Sequence, residues 1–424
     1  MKTYDIVVIG GGPAGASAAL FLEKKGYSIA LLDQVLFPRD KVCGEFISPA
    51  ADDIFSDLGI LESINSLNPT RLSGVVLSAY ESSCLQVDYP VSTDGRTMTS
   101  LSVERSKLDG LMIDHVRNSR VRLLEGFKVT DFLFDGENVC GVKGYDELKT
   151  EFRIKSKVVI DAGGRNSISL RRLNLRHSSS ARGRIALAAH WEGVKELGSY
   201  CHMHISHPGY TGIAPVGINK ANVVLVVDQG SFDGANIESF FMEKVLGNRL
   251  RRRILGAGSP IEKIRTVDSL SYSVKKPKCG GLLLVGDATG FMDPFTGEGI
   301  YLSLRSSQLA AGVVKNAFDR ADFSMRQLGR YDRIRRKEFR EKNILSKTLQ
   351  YLIYKPSLCN HVIEALSRQK ELSSLLVGVI GDYMPANKVV CFDYLLRLIC
   401  EMLKRSQPEL IRASQGFPNQ TTLK

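Results

Sequence analysis

The chain has 424 residues, of which 43% are hydrophobic and 24% are charged, and its formal net charge is +12. This length exceeds one compact hydrophobic core, so we expect two domains and an additional segment. The composition excludes a disordered protein. No apolar run approaches the roughly 18 residues of a membrane-spanning helix. The eight cysteines form no Cys-x-x-Cys pair, and the N-terminus leaves no room for a signal peptide before the first strand, so we expect a cytoplasmic protein with reduced thiols.

Basic residues are concentrated in two clusters, Arg249–Arg253 and Arg330–Lys337. Such clusters are usually solvated helix faces. The alternative is attraction to anionic lipid head groups, with the protein peripheral at a membrane, or to a substrate that carries pyrophosphate. Nucleic acid is not an expected partner, because the sequence contains no recognised nucleic-acid-binding motif.

The N-terminal segment predicts the first turn of a dinucleotide site. The apolar, β-branched run Asp5–Ile9 predicts a buried strand, and the motif Gly10-x-Gly12-x-x-Gly15 follows it directly. Gly10 permits the tight turn, Gly12 lets a pyrophosphate approach the backbone, and Gly15 lets a helix pack closely on the strand.

The elements after this turn support the same interpretation. Ala16–Lys25 predicts a helix whose N-terminus would hold the phosphates. A second strand, Ser28–Leu32, ends at Asp33, where a carboxylate can bind a ribose hydroxyl. Since strand, turn, helix, strand and acid follow in order, we interpret the segment as a dinucleotide site rather than an ordinary glycine-rich turn.

The rest of the chain alternates between the two expected domains. In chain order, its patterns predict a helix at 50–58, strands within 70–100, a helix from 103, short strands within 121–160, strands within 182–275 with one helix at 237–250, a strand at 282–288, a helix at 300–318 and helices within 323–403. The predicted fold is α/β: a discontinuous Rossmann-like nucleotide-binding domain (1–70, 101–175 and 276–322), an inserted antiparallel-sheet substrate domain (71–100 and 176–275), a C-terminal helical region (323–405) and a tail (406–424).

Three separated motifs match one known pattern: Gly10–Gly15, Asp161–Ser167 (Asp-Ala-Gly-Gly-Arg-Asn-Ser) and Gly286–Ala288 (Gly-Asp-Ala). Together they resemble the para-hydroxybenzoate-hydroxylase-like flavoproteins. Two further segments, Lys41–Pro49 and Gly286–Tyr301, are most similar to the geranylgeranyl reductase family of FAD-dependent oxidoreductases. The resemblance covers residues 1 to 320 or so.

The resemblance implies FAD as the cofactor of the Rossmann-like domain. Within it, Asp287 is expected at the ribitol hydroxyls, Arg105 near the FAD and Val129 near the adenine, although Arg105 could instead be a surface residue at a helix start. Gly297 and Gly299 let the backbone approach a flat ring, and the following helix N-terminus would stabilise negative charge on the reduced ring. The positions that match cofactor contacts are Gly10, Gly12, Pro13, Ala14, Gly15, Asp33, Arg39, Cys43, Arg105, Val129, Asp161, Gly163, Gly286, Asp287, Pro294, Gly297, Gly299 and Ile300.

Three residues are candidates for catalysis. Cys43 matches the family's cysteine on the substrate side of the flavin, as a proton donor or as part of the pocket wall; the alternative is an inert buried thiol. Glu45 follows it and could equally be a structural, salt-bridged carboxylate. Tyr210 lies where the family carries an aromatic-rich Tyr-x-Trp-x-Phe-Pro pattern, and Gly212 and Ala214 replace the aromatic residues here. No metal site is predicted, because the His202–His207 segment has no further ligand set.

The resemblance implies reduction of a carbon–carbon double bond in an apolar, isoprenoid-like or polyketide-like substrate. One alternative is an aromatic hydroxylase that uses the same motifs, and another is a non-enzymatic prenyl-binding escort protein. There is no second complete Gly-x-Gly-x-x-Gly unit, so electrons would come from transiently bound NAD(P)H or from a protein donor. Trp191 is the chain's one tryptophan, so the Trp-x-Trp-x-x-Pro pattern of flavin halogenases is absent, which disfavours halogenation.

Overall fold

A computed structural model describes residues 2–80, 83–177, 183–195, 197–232, 236–268, 270–291 and 294–404. The predicted tail, 406–424, lies outside the described residues. The strands are Lys2–Ile9 (β1), Ile29–Asp33 (β2), Phe46–Ile47 (β3), Thr70–Leu72 (β4), Gly74–Ala79 (β5), Ser83–Asp88 (β6), Ser100–Ser102 (β7), Arg122–Glu125 (β8), Lys128–Asp135 (β9), Asn138–Tyr145 (β10), Glu151–Asp161 (β11), Arg184–Glu192 (β12), Tyr200–Ser206 (β13), Gly209–Gly217 (β14), Lys220–Asp228 (β15), Ser259–Pro260 (β16), Arg265–Val267 (β17) and Leu282–Leu284 (β18).

Thirteen α-helices accompany these strands within the described residues, and the described chain after residue 299 forms only helices and turns. They are Pro13–Glu23 (α1), Ala51–Leu58 (α2), Leu61–Ser66 (α3), Arg105–Arg117 (α4), Ile168–Arg172 (α5), Ile237–Leu246 (α6), Arg249–Leu255 (α7), Gly299–Asp319 (α8), Met325–Leu328 (α9), Arg330–Leu352 (α10), Pro356–Arg368 (α11), Lys370–Ile380 (α12) and Phe392–Leu403 (α13).

The first sheet has seven strands in the order β8-β2-β1-β11-β10-β9, with β18 beside β11. The strands β8, β2, β1, β11 and β18 are parallel, whereas β9 and β10 are antiparallel to their neighbours. Both faces of β1 are covered, because Ile6 and Val8 pack with α1, α4 and α8 while Val7 and Ile9 pack with β9 and β10. A strand that is covered on both faces is expected to be apolar throughout, and this holds for the buried half of β1, Ile6–Ile9.

The second sheet has eight strands in the order β16-β12-β15-β14-β13-β5-β6, with β17 beside β12. It is antiparallel except for the parallel pair β5 and β13. The helix α11 packs on β5 and β6, α12 packs on β6, and α13 packs on α11. Within the described residues, no helix combines the length and apolar character needed to cross a bilayer.

Two element predictions were wrong in detail. The single helix predicted at 237–250 is two helices, because the Asn248 side chain caps α7 by accepting hydrogen bonds from the backbone N–H groups of Leu250 and Arg251. The last part of the region predicted to hold short strands, 121–160, is instead one long strand, β11; its N-terminal part pairs with β10 and its last three residues pair with β18.

Candidate functional site

The three motifs converge at one edge of the first sheet. In the register of the parallel strands, Ile9 lies opposite Leu32 and Asp161, and Asp161 lies opposite Leu284. The carboxyl ends of parallel strands therefore deliver Gly10, Asp33, the turn after Asp161 and the turn after Leu284 to the same place. This is where open α/β sheets bind ligands.

The first turn has the close contacts that its glycines predict. Gly10 has φ = +98°, a backbone conformation that residues with a side chain rarely adopt. A Cβ on Gly15 would lie 1.7 Å from the Gly10 carbonyl oxygen. A Cβ on Gly12 would meet no protein atom nearer than the Arg39 guanidinium at 3.5 Å. Pro13 then begins α1. The first N–H groups of this helix have no partner within the helix, so they are available to a ligand. The space beside Gly12 and the helix terminus fit a pyrophosphate.

The predicted ribose-binding acid supports this turn as well. Asp33 is buried, and its carboxylate accepts hydrogen bonds from the backbone N–H of Gly11 (2.6 Å) and of Val35 (3.0 Å). Val129, expected near the adenine, lies on β9 in the same buried cluster as Leu32. Asp33 therefore fixes the turn while it remains at the sheet edge that a ribose would reach.

Asp161 closes its own turn instead of facing the cavity. It is fully buried, and it accepts hydrogen bonds from the Gly163 backbone N–H (2.9 Å), the Ser167 hydroxyl (2.6 Å), and both the backbone N–H (2.8 Å) and the hydroxyl (2.5 Å) of Ser169. Gly163 is held against this carboxylate. The residues of this motif that reach the cavity wall are Ala162, Gly164 and Arg165.

The third motif forms the other side of the site. Gly286 has φ = +57°, and a Cβ there would lie 2.8 Å from the Ala14 Cβ, so glycine lets this turn pack against α1. Asp287 lies on the cavity wall; burial raises the pKa of its carboxyl, while the charges of Lys41 and Arg105 act in the opposite direction. This carboxylate faces cations across a cavity that hydroxyl groups of a ligand can enter.

The Pro294–Thr296 turn leads from this motif into α8. Gly297 has φ = +74°, and a Cβ there would lie 2.7 Å from the Phe46 ring. A Cβ on Gly299 would meet no atom of the described residues within 4 Å. Gly299 and Ile300 begin α8 at the cavity wall, so the positive end of this helix points toward the cavity.

Arg105 is a buried wall residue, not a surface residue. Its guanidinium forms a two-point ion pair with Asp109 (2.9 and 2.8 Å), and Arg39 lies 3.5 Å from the same carboxylate. Burial acts to lower the pKa of Arg105, but Asp109 and the Cys43 thiol together hold it above its ordinary value. A permanent positive charge therefore stands beside Cys43.

The predicted catalytic residues occupy different positions. Cys43 lies on the cavity wall, and its sulfur is 3.4 Å from the Glu45 backbone nitrogen. Tyr210 lies on β14, and its ring packs edge-on against Phe295 with 5.1 Å between centroids, also on the wall. Glu45 is buried with φ = +55°, and its side chain extends behind the loop toward His190. The structure thus brings Cys43 and Tyr210 to the cavity and leaves Glu45 behind its wall.

A cavity of about 240 Å³ joins the cofactor motifs to the second sheet. Its charged lining residues, Lys41, Arg105, Arg165 and Asp287, all lie at the end formed by the three motifs. The walls beyond Tyr210 are apolar, and they come from the second sheet (Val75, Leu77, Met203, Ile205, Val224 and Val226) and from α10, α11 and α12 (Leu349, Leu352, Val362, Ile363, Leu366, Leu376 and Ile380).

A buried ion cluster ties the C-terminal helices to the cofactor side. The Lys342 ammonium on α10 lies 2.8 Å from the Glu298 carboxylate, directly before α8, and 2.9 Å from the Asp382 carboxylate. Burial raises the pKa of both carboxyl groups, and Lys342 acts against that rise. The helices that close the apolar end of the cavity are therefore linked to the turn that shapes its charged end.

Sequence reasoning did not identify Lys41, His190 or Asn222 as site residues. Lys41 lies on the cavity wall, where burial and the nearby Arg105 lower the pKa of its ammonium. The Asn222 side-chain amide donates to the Cys43 carbonyl oxygen (2.6 Å), and His190 contacts Glu45. No local pattern marks the last two, because they come from the second sheet.

Taken together, these features fit a dinucleotide that carries a flat ring. The turn at Gly12 has room for a pyrophosphate, the acids Asp33 and Asp287 flank it, and the open backbone at Gly299 leaves space at the head of α8.

Known proteins resemble this chain over most of its length. The family profile described as an FAD binding domain matches residues 3–336. A 1H-pyrrole-2-carbonyl-(peptidyl-carrier protein) chlorinase of Pseudomonas fluorescens is 26% identical, over 78% of this chain and 79% of the relative. A digeranylgeranylglycerophospholipid reductase of Methanococcoides burtonii is 28% identical, over 78% of this chain and 79% of the relative. The solved structure of a flavoprotein/dehydrogenase from Cytophaga hutchinsonii aligns with a TM-score of 0.83 at 19% identity, over 95% of this chain and 99% of that chain.

These matches confirm the predicted α/β fold class. Halogenases recur among the relatives alongside the reductase, and two of them are described as flavin-dependent. This similarity does not favour the reductase over the halogenases, although the sequence pattern disfavoured halogenation.

Proposed function

The chain belongs to the FAD binding domain family, and from that premise we propose that it is an FAD-dependent oxidoreductase that reduces a carbon–carbon double bond of an apolar substrate. The observation that carries the proposal is the cavity. Its charged residues are confined to the cofactor end, and the continuous walls beyond Tyr210 are aliphatic. Such walls favour an isoprenoid-like or polyketide-like chain, because burying apolar surface there stabilises the complex by about 25 cal/mol per Å². Since the chlorinase and the reductase among the relatives are enzymes, an enzymatic role is proposed ahead of a non-enzymatic escort role.

The chemistry requires a hydride and a proton for each double bond. Bound, reduced FAD supplies the hydride chemistry. The protein supplies the rest: the Tyr210 and Phe295 rings hold the substrate against the wall, and Cys43, beside Arg105, is the candidate proton donor. We expect the electrons to come from transiently bound NAD(P)H or from a protein donor.

Halogenation is the second candidate, and Lys41 favours it. A cavity-facing ammonium with a lowered pKa loses its proton more readily, and a neutral amine is a nucleophile toward electrophilic halogen. The relatives named as a chlorinase and a tryptophan 2-halogenase also support this second candidate. Reduction remains the first candidate, because the cavity continues well past Lys41 into purely apolar walls.

Anaerobic reoxidation separates the candidates. The purified enzyme is photoreduced without oxygen and mixed with geranylgeraniol, and the expected result is recovery of oxidised flavin with formation of a more saturated product. Turnover that needs oxygen and incorporates bromide would establish the second candidate instead, and turnover that incorporates oxygen into an aromatic ring would establish a hydroxylase.

A pair of variants tests the cavity itself. A Cβ at Gly212, on the wall, would contact only the Met203 methyl group at 3.8 Å, so Gly212→Leu can extend into the cavity. We expect this variant to slow alkene reduction at least tenfold while FAD still binds. Ile218→Ala is the matched control, because Ile218 is 94% exposed in the turn that ends β14. Equal rates for both variants would contradict the assignment of the cavity to the substrate.

We also propose that α13 rests on a lipid bilayer from which an apolar substrate enters. Five apolar residues on this helix are 45–80% exposed at helical spacing: Phe392, Leu395, Leu396, Ile399 and Leu403. The helix packs on α11, which lines the cavity. A helix with one exposed apolar face is typical of interfacial binding.

A further inference from the structure

We infer that His190 is a positioning residue that holds the Cys43–Glu45 loop in place through a proton shared with two carboxylates. The inference deepens the proposed function and rests on it, because Cys43 is the residue that the loop presents to the cavity. None of these groups is part of the three cofactor motifs.

The loop is held from two sides. On the cofactor side, the Glu45 carboxylate accepts a hydrogen bond from the Arg105 backbone N–H (2.9 Å). On the side of the second sheet, Asn222 donates to the Cys43 carbonyl oxygen (2.6 Å), and His190 Nε2 lies 2.8 Å from the other Glu45 oxygen. Glu45 has φ = +55°, so the loop conformation depends on these partners.

The His190 ring makes a second contact that fixes its proton count. Its Nδ1 lies 2.9 Å from Glu262 Oε1, so each ring nitrogen faces a carboxylate oxygen. A neutral imidazole has one N–H and can donate to only one of them. The other nitrogen would present a lone pair to an anionic oxygen. The arrangement therefore contains an additional proton, held between Glu45, His190 and Glu262.

The surroundings favour that proton on the ring. The hydrogen bond with Glu45 and the negative charges of Glu45 and Glu262 raise the pKa of His190 against the effects of burial and of Lys220. The strand β15 contributes Lys220 and the neutral Asn222, and β17 contributes Arg265, which donates to Glu262 (2.6 Å). Only Glu262 is substantially exposed, with 30% of its side chain accessible against 7% for His190 and 5% for Glu45. Protons therefore exchange with solvent at the Glu262 end.

The sign of the pH effect follows. The pKa of His190 is raised in the folded protein. Both hydrogen bonds of its ring, to Glu45 and to Glu262, are therefore present below that pKa, and one of them is lost as the pH rises through it. Loss of the proton turns one hydrogen bond into a repulsion and releases Glu45. Cys43 then becomes more accessible.

Glu262→Gln is the decisive variant. A glutamine amide can donate to Nδ1, so a neutral imidazole then satisfies both neighbours and the loop stays held at every pH. His190→Gln carries both of its N–H donors on one nitrogen, so it cannot reproduce donors at the two separate ring positions, and we expect the loop to be released at every pH. Glu104→Gln is the matched control, because Glu104 is a nearby half-buried carboxylate that pairs with Lys107 and Lys220.

Two readouts on the holoenzyme need no substrate. The first is ¹⁵N-histidine NMR, in which the His190 signal is assigned by its loss in His190→Gln and followed against pH. The second is iodoacetamide labelling of Cys43, measured by peptide mass spectrometry. At pH 6 we expect equal labelling rates in the wild type and Glu262→Gln. At pH 9 we expect Cys43 to react about tenfold faster in the wild type than in Glu262→Gln, because loss of one buried hydrogen bond changes an equilibrium by about that factor. Glu104→Gln should follow the wild type.

The inference is overturned if His190 titrates at or below the ordinary histidine value, or if the labelling profiles of the wild type and Glu262→Gln superimpose. Since neither readout uses turnover, failure of the alkene assay would leave this result interpretable on its own.

Discussion

Alanine substitution of two glycines in one turn should separate cofactor binding from folding. An alanine Cβ at Gly12 would meet its nearest protein atom at 3.5 Å, an ordinary contact with the flexible Arg39 side chain. An alanine Cβ at Gly15 would lie 1.7 Å from the Gly10 carbonyl oxygen, which no structure tolerates. The two changes add the same methyl group three positions apart.

The magnitudes differ accordingly. Gly15→Ala forces α1 away from β1 by more than an ångström, at a cost at or above the roughly 1–3 kcal/mol typical of overpacking. Gly12→Ala should alter the stability of the apoprotein by about 1 kcal/mol or less, since only the helix N-cap changes. It blocks the approach of a pyrophosphate, and loss of one charge-assisted hydrogen bond, worth about 1.5–3 kcal/mol, weakens FAD binding roughly ten- to a hundredfold.

Thermal denaturation of the apoproteins, followed by circular dichroism, measures the first effect, and titration of FAD by fluorescence quenching measures the second. Gly12→Ala should melt close to the wild type and bind FAD poorly, whereas Gly15→Ala should melt well below it. If Gly12→Ala bound FAD within twofold of the wild type, the cofactor would not pass over this backbone and the reasoning would be refuted.

Three further perturbations address other parts of the molecule. Lys342→Met leaves two buried carboxylates without their cation, so the free energy of unfolding of the apoprotein, measured by urea denaturation, should fall by about 3–5 kcal/mol. The loss should be largest above the raised carboxyl pKa values and smaller in acid, and a loss that is equal at about pH 5 and about pH 9 would contradict this assignment. Asp161→Asn puts an N–H donor among four donors, so it should destabilise the protein by about 2–3 kcal/mol with or without FAD; destabilisation only in the presence of FAD would argue for a cofactor contact instead. Ile399→Glu should reduce pelleting with anionic vesicles severalfold, whereas Ile334→Glu, at a comparably exposed position on α10, should not; equal pelleting of both would remove α13 from the interface.

The first turn of the site was predictable because it is local. Gly10, Gly12 and Gly15 follow a strand of β-branched residues, and each glycine is demanded by a contact within a few residues or by the ligand. Convergence of the three motifs was predictable too, since strands ending in glycine or acid turns meet at one edge when they are parallel. The resemblance placed Asp161 at the cofactor, but its four internal hydrogen bonds are a property of the folded turn.

The substrate side was less predictable because its contacts are distant in sequence. His190 lies 145 residues from Glu45, and Asn222 lies 179 residues from Cys43. Both are on largely apolar strands, in which no local pattern predicts a polar contact with a distant loop. The sequence predicted helices within 323–403, but no local pattern indicates that two of them, α11 and α12, cover a cavity. The break between α6 and α7 did leave a signal, since Gly247-Asn248 is a typical helix end followed by an N-cap.

The path of the chain between the two sheets limits how the protein can be divided. The chain leaves the first sheet after β2, contributes β5 and β6 to the second, returns for β8–β11, leaves again for β12–β17 and returns for β18. A gene fragment that stops at residue 175 would lack β18, and one that starts there would lack β5 and β6. Neither sheet can be cloned as a contiguous piece with all of its strands, so a fragment that keeps both sheets intact has to run at least from β1 to β18.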